Sequence, residues 1–164
     1  MPCKRFVFAA TLTVTALLLS GCATGFNAAT NAQGDSGNGR SVDVGALQIR
    51  NATVVVDLKD PTRATVLLTI VNTDDAIDDV LTGIATADSV GVEGEIRIAL
   101  PHKQVVNIGF DSENRIVLTS SAGLIPGQFV NVSLMLESGQ SVPLSMLINE
   151  KNGIYSDTDI PATN

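Results

Sequence analysis

The sequence predicts an all-β domain, arranged as an antiparallel sandwich of about seven to eight short strands. Several segments alternate apolar and polar side chains with a period of two, which is the spacing of a strand that buries one face. Clusters of Asp, Asn, Gly and Pro separate these segments, and no segment has sustained helical spacing. Short strands divided by turns in this way are typical of sandwiches and barrels.

The strands are expected in the following order. The segment Val66 to Val71 is apolar on both faces, so we expect it to lie in the middle of a sheet. The full set of expected strands is Ala46 to Asp57, Val66 to Val71, Val80 to Thr86, Glu95 to Leu100, Val105 to Phe110, Asn114 to Thr119, Val130 to Leu136 and Ser141 to Ile148. The expected turns are Lys59-Asp60-Pro61, Asn72-Thr73-Asp74-Asp75, Asp111-Ser112-Glu113-Asn114, Ile125-Pro126-Gly127 and Glu137-Ser138-Gly139-Gln140.

The amino terminus predicts export and lipidation. Lys4 and Arg5 precede an apolar run from Phe6 to Leu19, which is shorter than the roughly 20 residues that span a bilayer. Charged, apolar and small residues in this order are typical of a signal peptide, here residues 1–21. The Leu-Ser-Gly-Cys ending resembles the bacterial lipobox, which implies cleavage before Cys22 and diacylglycerol on its sulfur. The alternatives are an uncleaved anchor and a chance cysteine after an ordinary signal.

Segments of low hydrophobicity flank the predicted domain. Residues 22–41 are rich in Gly, Asn, Ala, Thr and Ser and cannot bury enough apolar surface to order themselves. We interpret them as a flexible tether with a typical span of about 25 Å. The sandwich is then expected over residues 42–149. Residues 150–164 form a polar carboxy-terminal tail, which we expect to be loose from Tyr155 onward.

Composition excludes several classes of function. Cys3 leaves with the signal peptide and Cys22 carries lipid, so no thiol remains for a disulfide, a thiolate metal site or a nucleophile. The formal net charge is −7, and an acidic surface repels phosphate backbones, so we expect no nucleic-acid partner. Aromatic residues are 4% of the chain and tryptophan is absent, which disfavours a stacking platform for sugars or bases.

Two stretches resemble the PCuAC-type copper chaperone domain. The first is Ala64-Thr65-Val66-Leu67-Leu68-Thr69-Ile70-Val71-Asn72-Thr73-Asp74-Asp75-Ala76 with Asp79-Val80-Leu81-Thr82-Gly83, which resembles the opening of that domain. The second is Leu124-Ile125-Pro126-Gly127 leading into Val130 to Ser141, which is similar to its closing turn and hairpin. The resemblance covers about Val44 to Ile148 and is nearest to the actinobacterial, LpqE-like lipoprotein branch. It implies a cupredoxin-like or immunoglobulin-like β-sandwich.

The copper ligands of that family have no counterpart at the matching positions. The family holds Cu(I) with two histidines and methionines, which are soft ligands that this ion prefers. The first histidine position falls near Glu93-Gly94-Glu95, and the loop that should bring a methionine after it is deleted. The second histidine position falls near Asn114-Arg115-Ile116. Because the chain contains one histidine, one protomer cannot build the family's site, and we predict that its copper ligands are lost.

The remaining soft metal-binding atoms belong to His102, Met135 and Met146. His102 lies in the expected turn Pro101-His102-Lys103, where the alternatives are a solvated loop residue, a metal ligand and a general base. As a metal ligand it would be shared across a dimer or lie beside one of the two methionines. Met135 and Met146 lie in the last two strands; they either approach each other across the hairpin or pack in the core.

Four carboxylates cluster at Asp74, Asp75, Asp78 and Asp79. Clustered hard oxygens suit Ca²⁺, although the spacing of a calcium-binding EF-hand loop is absent. The other interpretations are an acidic docking patch, and turn formation with solvation. The chain has no nucleophile elbow, Ser-x-x-Lys pair, phosphate loop, Cys-x-x-Cys or His-Glu-x-x-His, so we do not expect an enzyme.

These observations favour a lipoprotein on the outer face of the bacterial cytoplasmic membrane. Its sandwich would act as a non-catalytic binding or accessory module for another envelope protein, with no cofactor. The alternative is an extracytoplasmic copper chaperone with an altered or weak Cu(I) site. An unrecognised hydrolase and a purely structural spacer are the remaining hypotheses.

Overall fold

The structure, a computed structural model, describes residues 37–86 and 89–162. Within these ranges the strands are β1 Arg40–Val44, β2 Leu47–Asp57, β3 Asp60–Asn72, β4 Asp79–Thr86, β5 Val90–Glu93, β6 Ile98–Leu100, β7 Gln104–Ile108, β8 Val117–Ser120, β9 Phe129–Leu136 and β10 Ser141–Glu150. A 3-10 helix, Gly153–Tyr155, follows β10. None of the helical structure in these ranges has the length and hydrophobicity needed to cross a bilayer. The signal peptide, Cys22 and tether residues 22–36 lie outside the described residues, so what the sequence predicts for them stays a prediction.

The strands form a curled sheet in two layers, and β10 passes from one layer to the other. Residues Ser141 to Leu147 pair antiparallel with β9, whereas Ile148 to Glu150 pair in parallel with β2. The first sheet consists of β1, β2, β3, β5, β7 and β8, joined at one edge by the end of β10. The second sheet consists of β10, β9, β4 and β6, in that order. This arrangement confirms the predicted all-β sandwich.

The core lies between the two sheets and follows from the period-two pattern. Every second residue of β9 and β10 is buried, including Val132, Leu134, Leu144 and Met146. They face Ile49, Val54, Val66, Leu68 and Ile70 of the first sheet, and all nine belong to one apolar cluster. Fully burying one such side chain contributes about 1.5–3 kcal/mol, so this cluster is the main source of stability.

β3 is central in the first sheet, as the sequence predicts. On one side, β3 pairs with β2. On its other side, residues Arg63 to Thr65 pair with β8, and residues Leu68 to Asn72 pair with β7. The outward side chains of this region are buried as well. Val55, Leu67 and Val117 are buried but do not belong to the main core cluster, so a second layer covers them from outside.

That cover is the carboxy-terminal segment, residues 154–162, which we call the strap. Thr65 Oγ1 donates to the Asp159 carbonyl oxygen at 2.9 Å, and Arg63 Nε donates to the Pro161 carbonyl oxygen at 2.9 Å. The expectation of a loose segment after Tyr155 is therefore wrong for the residues described here. Polar composition suggested solvation, but the acceptors of this segment bind donors on β3.

Two short strands were missing from the sequence prediction. β1 begins at Arg40, inside the predicted tether, and pairs with β2. β5, Val90–Glu93, pairs with β8. Both are short edge strands of four or five residues, and all their positions are exposed or half-buried, so they carry little apolar signal. Residues 95–97 and 114–116, which were expected to begin strands, precede β6 and β8 instead.

Candidate functional site

The acidic residues 74–79 form a loop between β3 and β4 that is fixed by a buried asparagine. Asn72 Nδ2 donates to the carbonyl oxygens of Ile77 at 3.0 Å and Leu100 at 2.9 Å. Its side-chain oxygen accepts from the backbone N–H of Asp74 at 3.0 Å. Because Asn72 is 3% exposed, losing these bonds would leave buried polar atoms unpaired. The loop is therefore held against the end of β6.

Two of the four carboxylates fix the loop, one to its own backbone and one to the turn between β9 and β10. Asp74 Oδ1 accepts from the N–H groups of Ala76 and Ile77, both at 2.9 Å, and these bonds hold the pKa of Asp74 below its ordinary value. Asp79 accepts from Ser138, at 2.7 Å from its hydroxyl and 3.2 Å from its N–H. Asp79 thus ties the loop to the turn between β9 and β10.

The other two carboxylates bind the turn that contains the histidine. Asp78 Oδ1 accepts from the backbone N–H of His102 at 2.8 Å and lies 2.6 Å from His102 Nδ1. Both contacts lower the pKa of Asp78, and the bond from the backbone N–H contributes the larger part. Asp75 forms an ion pair with Lys103 Nζ at 2.9 Å. The sequence placed His102 in a turn correctly but gave no sign that it would meet the acidic loop.

The four carboxylates of the loop face separate partners rather than one point. Within the described ranges, no three His, Cys, Asp or Glu side chains gather closely enough to hold a metal ion. The calcium-binding and docking interpretations of Asp74, Asp75, Asp78 and Asp79 stay predictions.

The two methionines do not meet across the β9–β10 hairpin, so the first of the two alternatives for them is wrong. Met135 lies opposite Ser141 near the turn, whereas Met146 lies opposite Val130 at the other end. Met146 is fully buried in the core and Met135 is 48% exposed. The pleat of the hairpin sends these two side chains to opposite faces. Packing explains Met146, and the thioether of Met135 is open to solvent beside Gly83.

The two positions expected to carry copper ligands lie close together in space. Glu93 ends β5 directly opposite Val117 on β8. Residues 114–116 immediately precede Val117, and Ile116 accepts a hydrogen bond from the N–H of Val66 at 3.0 Å. The fold therefore brings the two sequence positions to one end of the β5–β8 pair, on the first sheet.

Charged pairs occupy this place. Arg63 Nη2 lies 2.5 Å from Glu93 Oε2, and the Arg63 side chain is 8% exposed. Arg63 Nε donates to the strap carbonyl of Pro161, so the guanidinium contacts both Glu93 and the strap. Arg115 Nη1 lies 3.0 Å from Asp159 Oδ2 of the strap. We call the outer surface formed by Arg63, Thr65, Glu93 and Arg115 the arginine face.

A glycine lets the β7–β8 loop approach the arginine face. Gly109 has φ +78, and a Cβ there would lie 2.2 Å from the Val66 carbonyl oxygen, so a side chain would be both strained and obstructed. Its N–H donates to the Asn114 carbonyl oxygen at 2.8 Å. These contacts fix the loop that ends at Arg115.

A cavity of about 330 Å³ separates this loop from the strap. Its lining includes Leu67, Gly109, Phe110, Arg115, Ile154 and residues 157–159. This region was not predictable from the sequence, because its partners are far apart in the chain. One signal was available: Arg63 lies at the start of a long apolar strand, and a buried arginine requires an anionic or carbonyl partner.

The residues at the expected ligand positions do not fit Cu(I). A carboxylate, a guanidinium and a backbone-bonded asparagine are hard or cationic groups, whereas this ion selects thioether and imidazole. His102, the one imidazole in the chain, lies in the turn between β6 and β7, against Asp78. The arrangement at the arginine face is suited instead to holding carboxylates and carbonyl oxygens.

Solved structures of PCuAC domains share this fold. The copper-bound PCuAC domain from PmoF2 is 23% identical, with a TM-score of 0.56 over 68% of this chain and 98% of that domain. The apo PCuAC domain from PmoF1 is 19% identical, with a TM-score of 0.56 over 68% and 99%. The apo PmoF2 PCuAC domain is 22% identical, with a TM-score of 0.55 over 70% and 98%. No protein-family model and no curated protein matches the chain. The chain thus has the cupredoxin-like β-sandwich fold of the PCuAC copper-chaperone domains.

Proposed function

We propose that this chain is a lipoprotein of the bacterial envelope whose sandwich is a non-catalytic binding or accessory module for another envelope protein. The observation that carries the proposal is the pair of ionic contacts at the expected ligand positions, Arg63 with Glu93 and Arg115 with Asp159. A copper-chaperone-like frame is retained while hard, charged groups replace the soft ligands. In this proposal, copper binding has been lost along the LpqE-like branch.

Anaerobic Cu(I) titration of the folded chain against a competing chelator tests the loss of copper binding. We expect no binding in the micromolar range or tighter, because a site of guanidinium and carboxylate groups offers no soft donor. Stoichiometric binding at one ion per chain that withstands the chelator would contradict the proposal.

A second candidate function is that of an extracytoplasmic copper chaperone with an altered or weak Cu(I) site. It is favoured by the likeness in fold to a copper-bound PCuAC domain and by two exposed soft groups, the His102 imidazole and the Met135 thioether. The same titration on His102→Ala and Met135→Leu variants examines it. Cu(I) binding that either variant weakens at least about tenfold would favour this candidate, and binding unaffected by both would dismiss it.

The proposal places the module at the outer face of the cytoplasmic membrane through lipid on Cys22. Two acyl chains hold a protein on a bilayer far more firmly than one, since each buried methylene contributes about 0.8 kcal/mol. Expression with radioactive palmitate in a bacterial host should label the natural chain and not Cys22→Ala. Equal labelling of both, or recovery of the natural chain in the cytosol, would remove the anchor from the proposal.

The acidic loop is the first surface to examine for a protein partner. Asp75 and Asp78 lie largely in solvent, with side chains 90% and 65% exposed. Affinity purification from intact envelopes, with the natural chain and with Asp75→Asn/Asp78→Asn as bait, is the test. A partner that the double variant loses would assign the docking role to this loop, and a partner retained by it would assign the role elsewhere.

A further inference from the structure

The strap is exposed or half-buried, whereas the surface beneath it is almost completely buried. Of residues 154–162, all of which the structure describes, none is buried. By contrast, Thr65 and Val55 beneath the strap are 0% exposed, and Leu67 is 2% exposed. The strap contributes acceptors and little apolar surface, so few interactions hold it in place. The face below it depends on being covered.

The covered face presents donors for an extended chain. Thr65 Oγ1 and Arg63 Nε each donate to a strap carbonyl, of Asp159 and of Pro161 respectively. Arg115 binds the Asp159 carboxylate. Three side chains thus bind the strap. Two of them bind the carbonyl oxygens of Asp159 and Pro161, which are two residues apart, and the third binds the Asp159 carboxylate. That spacing matches a peptide in extended conformation, in which alternate residues present groups to the same side.

Arg63 connects the strap to the arginine face. Its side chain is more than nine-tenths buried; Nη2 pairs with Glu93 at 2.5 Å, and Nε donates to the strap carbonyl of Pro161. A buried guanidinium that lost an acceptor would be costly. A chain that displaces the strap therefore has to supply a carbonyl oxygen to Nε in its place.

We propose that the arginine face is a binding site for an extended acidic peptide segment of an envelope partner protein, and that the strap occupies this site in cis as a replaceable pseudo-ligand. The inference rests on the proposed binding-module function and names its site and the chemistry of its partner. The side chain of an aspartate or glutamate of the partner binds Arg115, and the carbonyl oxygen of the same residue accepts from Thr65. The carbonyl oxygen two residues further along accepts from Arg63. The strap must leave for the partner to bind, so the exchange is competitive.

The exchange is tested with a fluorescent synthetic peptide that copies residues 156–162, Ser-Asp-Thr-Asp-Ile-Pro-Ala. Its binding to the full chain is measured by fluorescence anisotropy. The natural strap competes at high effective concentration, which lowers the apparent affinity of the added peptide. In Asp159→Lys the strap is repelled by Arg115, and we expect the peptide to bind about tenfold more tightly than to the natural chain.

Asp75→Lys is the matched control. It makes the same change of charge in the acidic loop, at an aspartate that pairs with Lys103 and lies beyond the other end of β3 from Arg63. We expect its affinity for the peptide to equal that of the natural chain. Adding Arg115→Gln to Asp159→Lys should remove most of the gained affinity, and so should replacing the second aspartate of the peptide by asparagine. Equal binding to both lysine variants, or binding indifferent to Arg115→Gln, would overturn the proposal.

Other outcomes separate this inference from the proposed function. An envelope partner captured equally by the natural chain and by Arg115→Gln would support a binding module and overturn the arginine face as its site. Peptide binding with the expected pattern, but no envelope partner, would support the site and count against the module function. A dimer that forms with rising concentration and disappears in Arg115→Gln would assign the site to the strap of a second copy, and overturn the partner assignment.

Discussion

The outer faces of the two sheets follow the same strand pattern but present different chemistry. The first sheet carries the arginine face, with Arg63 and Leu67 buried beneath the strap. On the second sheet, β9 and residues 141–147 of β10 contain no charged side chain, and Phe129 and Met135 are 62% and 48% exposed. A shallow cavity of about 560 Å³ there is lined by Ala85, Thr86, residues 131–133 and residues 143–145.

The difference shows that the period-two alternation of apolar residues predicts which side chains form the core. It does not predict what the outer face of each sheet binds. Inward positions are apolar in both sheets, because the core requires it. Outward positions are free to vary, and among residues 37–86 and 89–162 those of the first sheet hold another part of the chain, the strap. A covered face should respond strongly to substitution and an open face weakly, so matched substitutions on the two faces test this comparison.

Leu67→Ala and Met135→Ala should differ most. Leu67 is 2% exposed beneath the strap, and we expect its truncation to lower the free energy of unfolding by about 2–4 kcal/mol, through lost burial and a cavity. Met135 lies on the open face, and its truncation should change stability by less than about 0.5 kcal/mol. Urea denaturation followed by circular dichroism measures both values. Similar losses in the two variants would break the comparison.

Arg63→Ala and Arg97→Ala compare one ion pair from each sheet. Arg63 is buried and Glu93 is 45% exposed, so removing Arg63 should cost about 1–3 kcal/mol, less than a pair buried on both sides. Arg97 binds Glu137 at 3.0 Å with both side chains more than half exposed, and its loss should cost about 0–0.5 kcal/mol. Thermal unfolding at low and high salt gives the two differences. A larger loss for Arg97→Ala would contradict the assignment of the first face as the covered one.

Thr65→Val and Thr82→Val remove one hydroxyl from each face with little change of shape. Thr65 binds the Asp159 carbonyl oxygen of the strap, so its loss should weaken strap docking by about 0.5–1.5 kcal/mol. Hydrogen exchange should then accelerate in residues 154–162 and remain unchanged elsewhere. Thr82 Oγ1 donates to the Met135 carbonyl oxygen at 3.1 Å within its own sheet, and its loss should leave exchange in the strap unaltered. Unaltered exchange in both variants would show that Thr65 does not hold the strap.

The dependence of stability on pH tests the acidic loop, which lies outside the outer faces of both sheets and so serves as a reference for them. The lowered pKa of Asp78 means that the folded state binds fewer protons than the unfolded state. Its stabilisation is full above the ordinary aspartate pKa and is lost as pH falls from about 4 through the folded value. We expect the natural chain to lose more stability than Asp78→Asn over this window, as measured by urea unfolding at a series of pH values. Parallel curves would show that the contact between Asp78 and His102 contributes no pH-dependent stability.

Much of the sandwich was predictable because long strands repeat their pattern many times. The bounds of β9 and β10 were predicted to within two residues, whereas β3 begins at Asp60, six residues before the expected Val66. The central place of β3 followed from its two apolar faces. β1 and β5 were missed because four or five residues with half-buried side chains give almost no periodic signal. The meeting of His102 with Asp78 was not predictable, since 23 residues separate them in the chain.

The site was less predictable than the fold, and for a physical reason. The sequence indicated that Glu93 and residues 114–116 lack soft copper donors, since residue type alone decides that chemistry. It gave no partner for Arg63 or Arg115, because both partners are set by long-range packing. The positions of Met135 and Met146 depended on the register of a hairpin, and that register sends them to opposite faces.

Local residue chemistry by itself determined the all-β class, the absence of a two-histidine site in one chain and the separation of strands from turns. These properties depend on side-chain type and on short repeats, which any stretch of chain carries with it. Only the tertiary structure decided that the polar tail covers β3, that Glu93 and Arg115 lie at one end of the first sheet, and that each is paired with an opposite charge. Such contacts join residues far apart in sequence, and they form where folding brings buried donors to acceptors that relieve their desolvation.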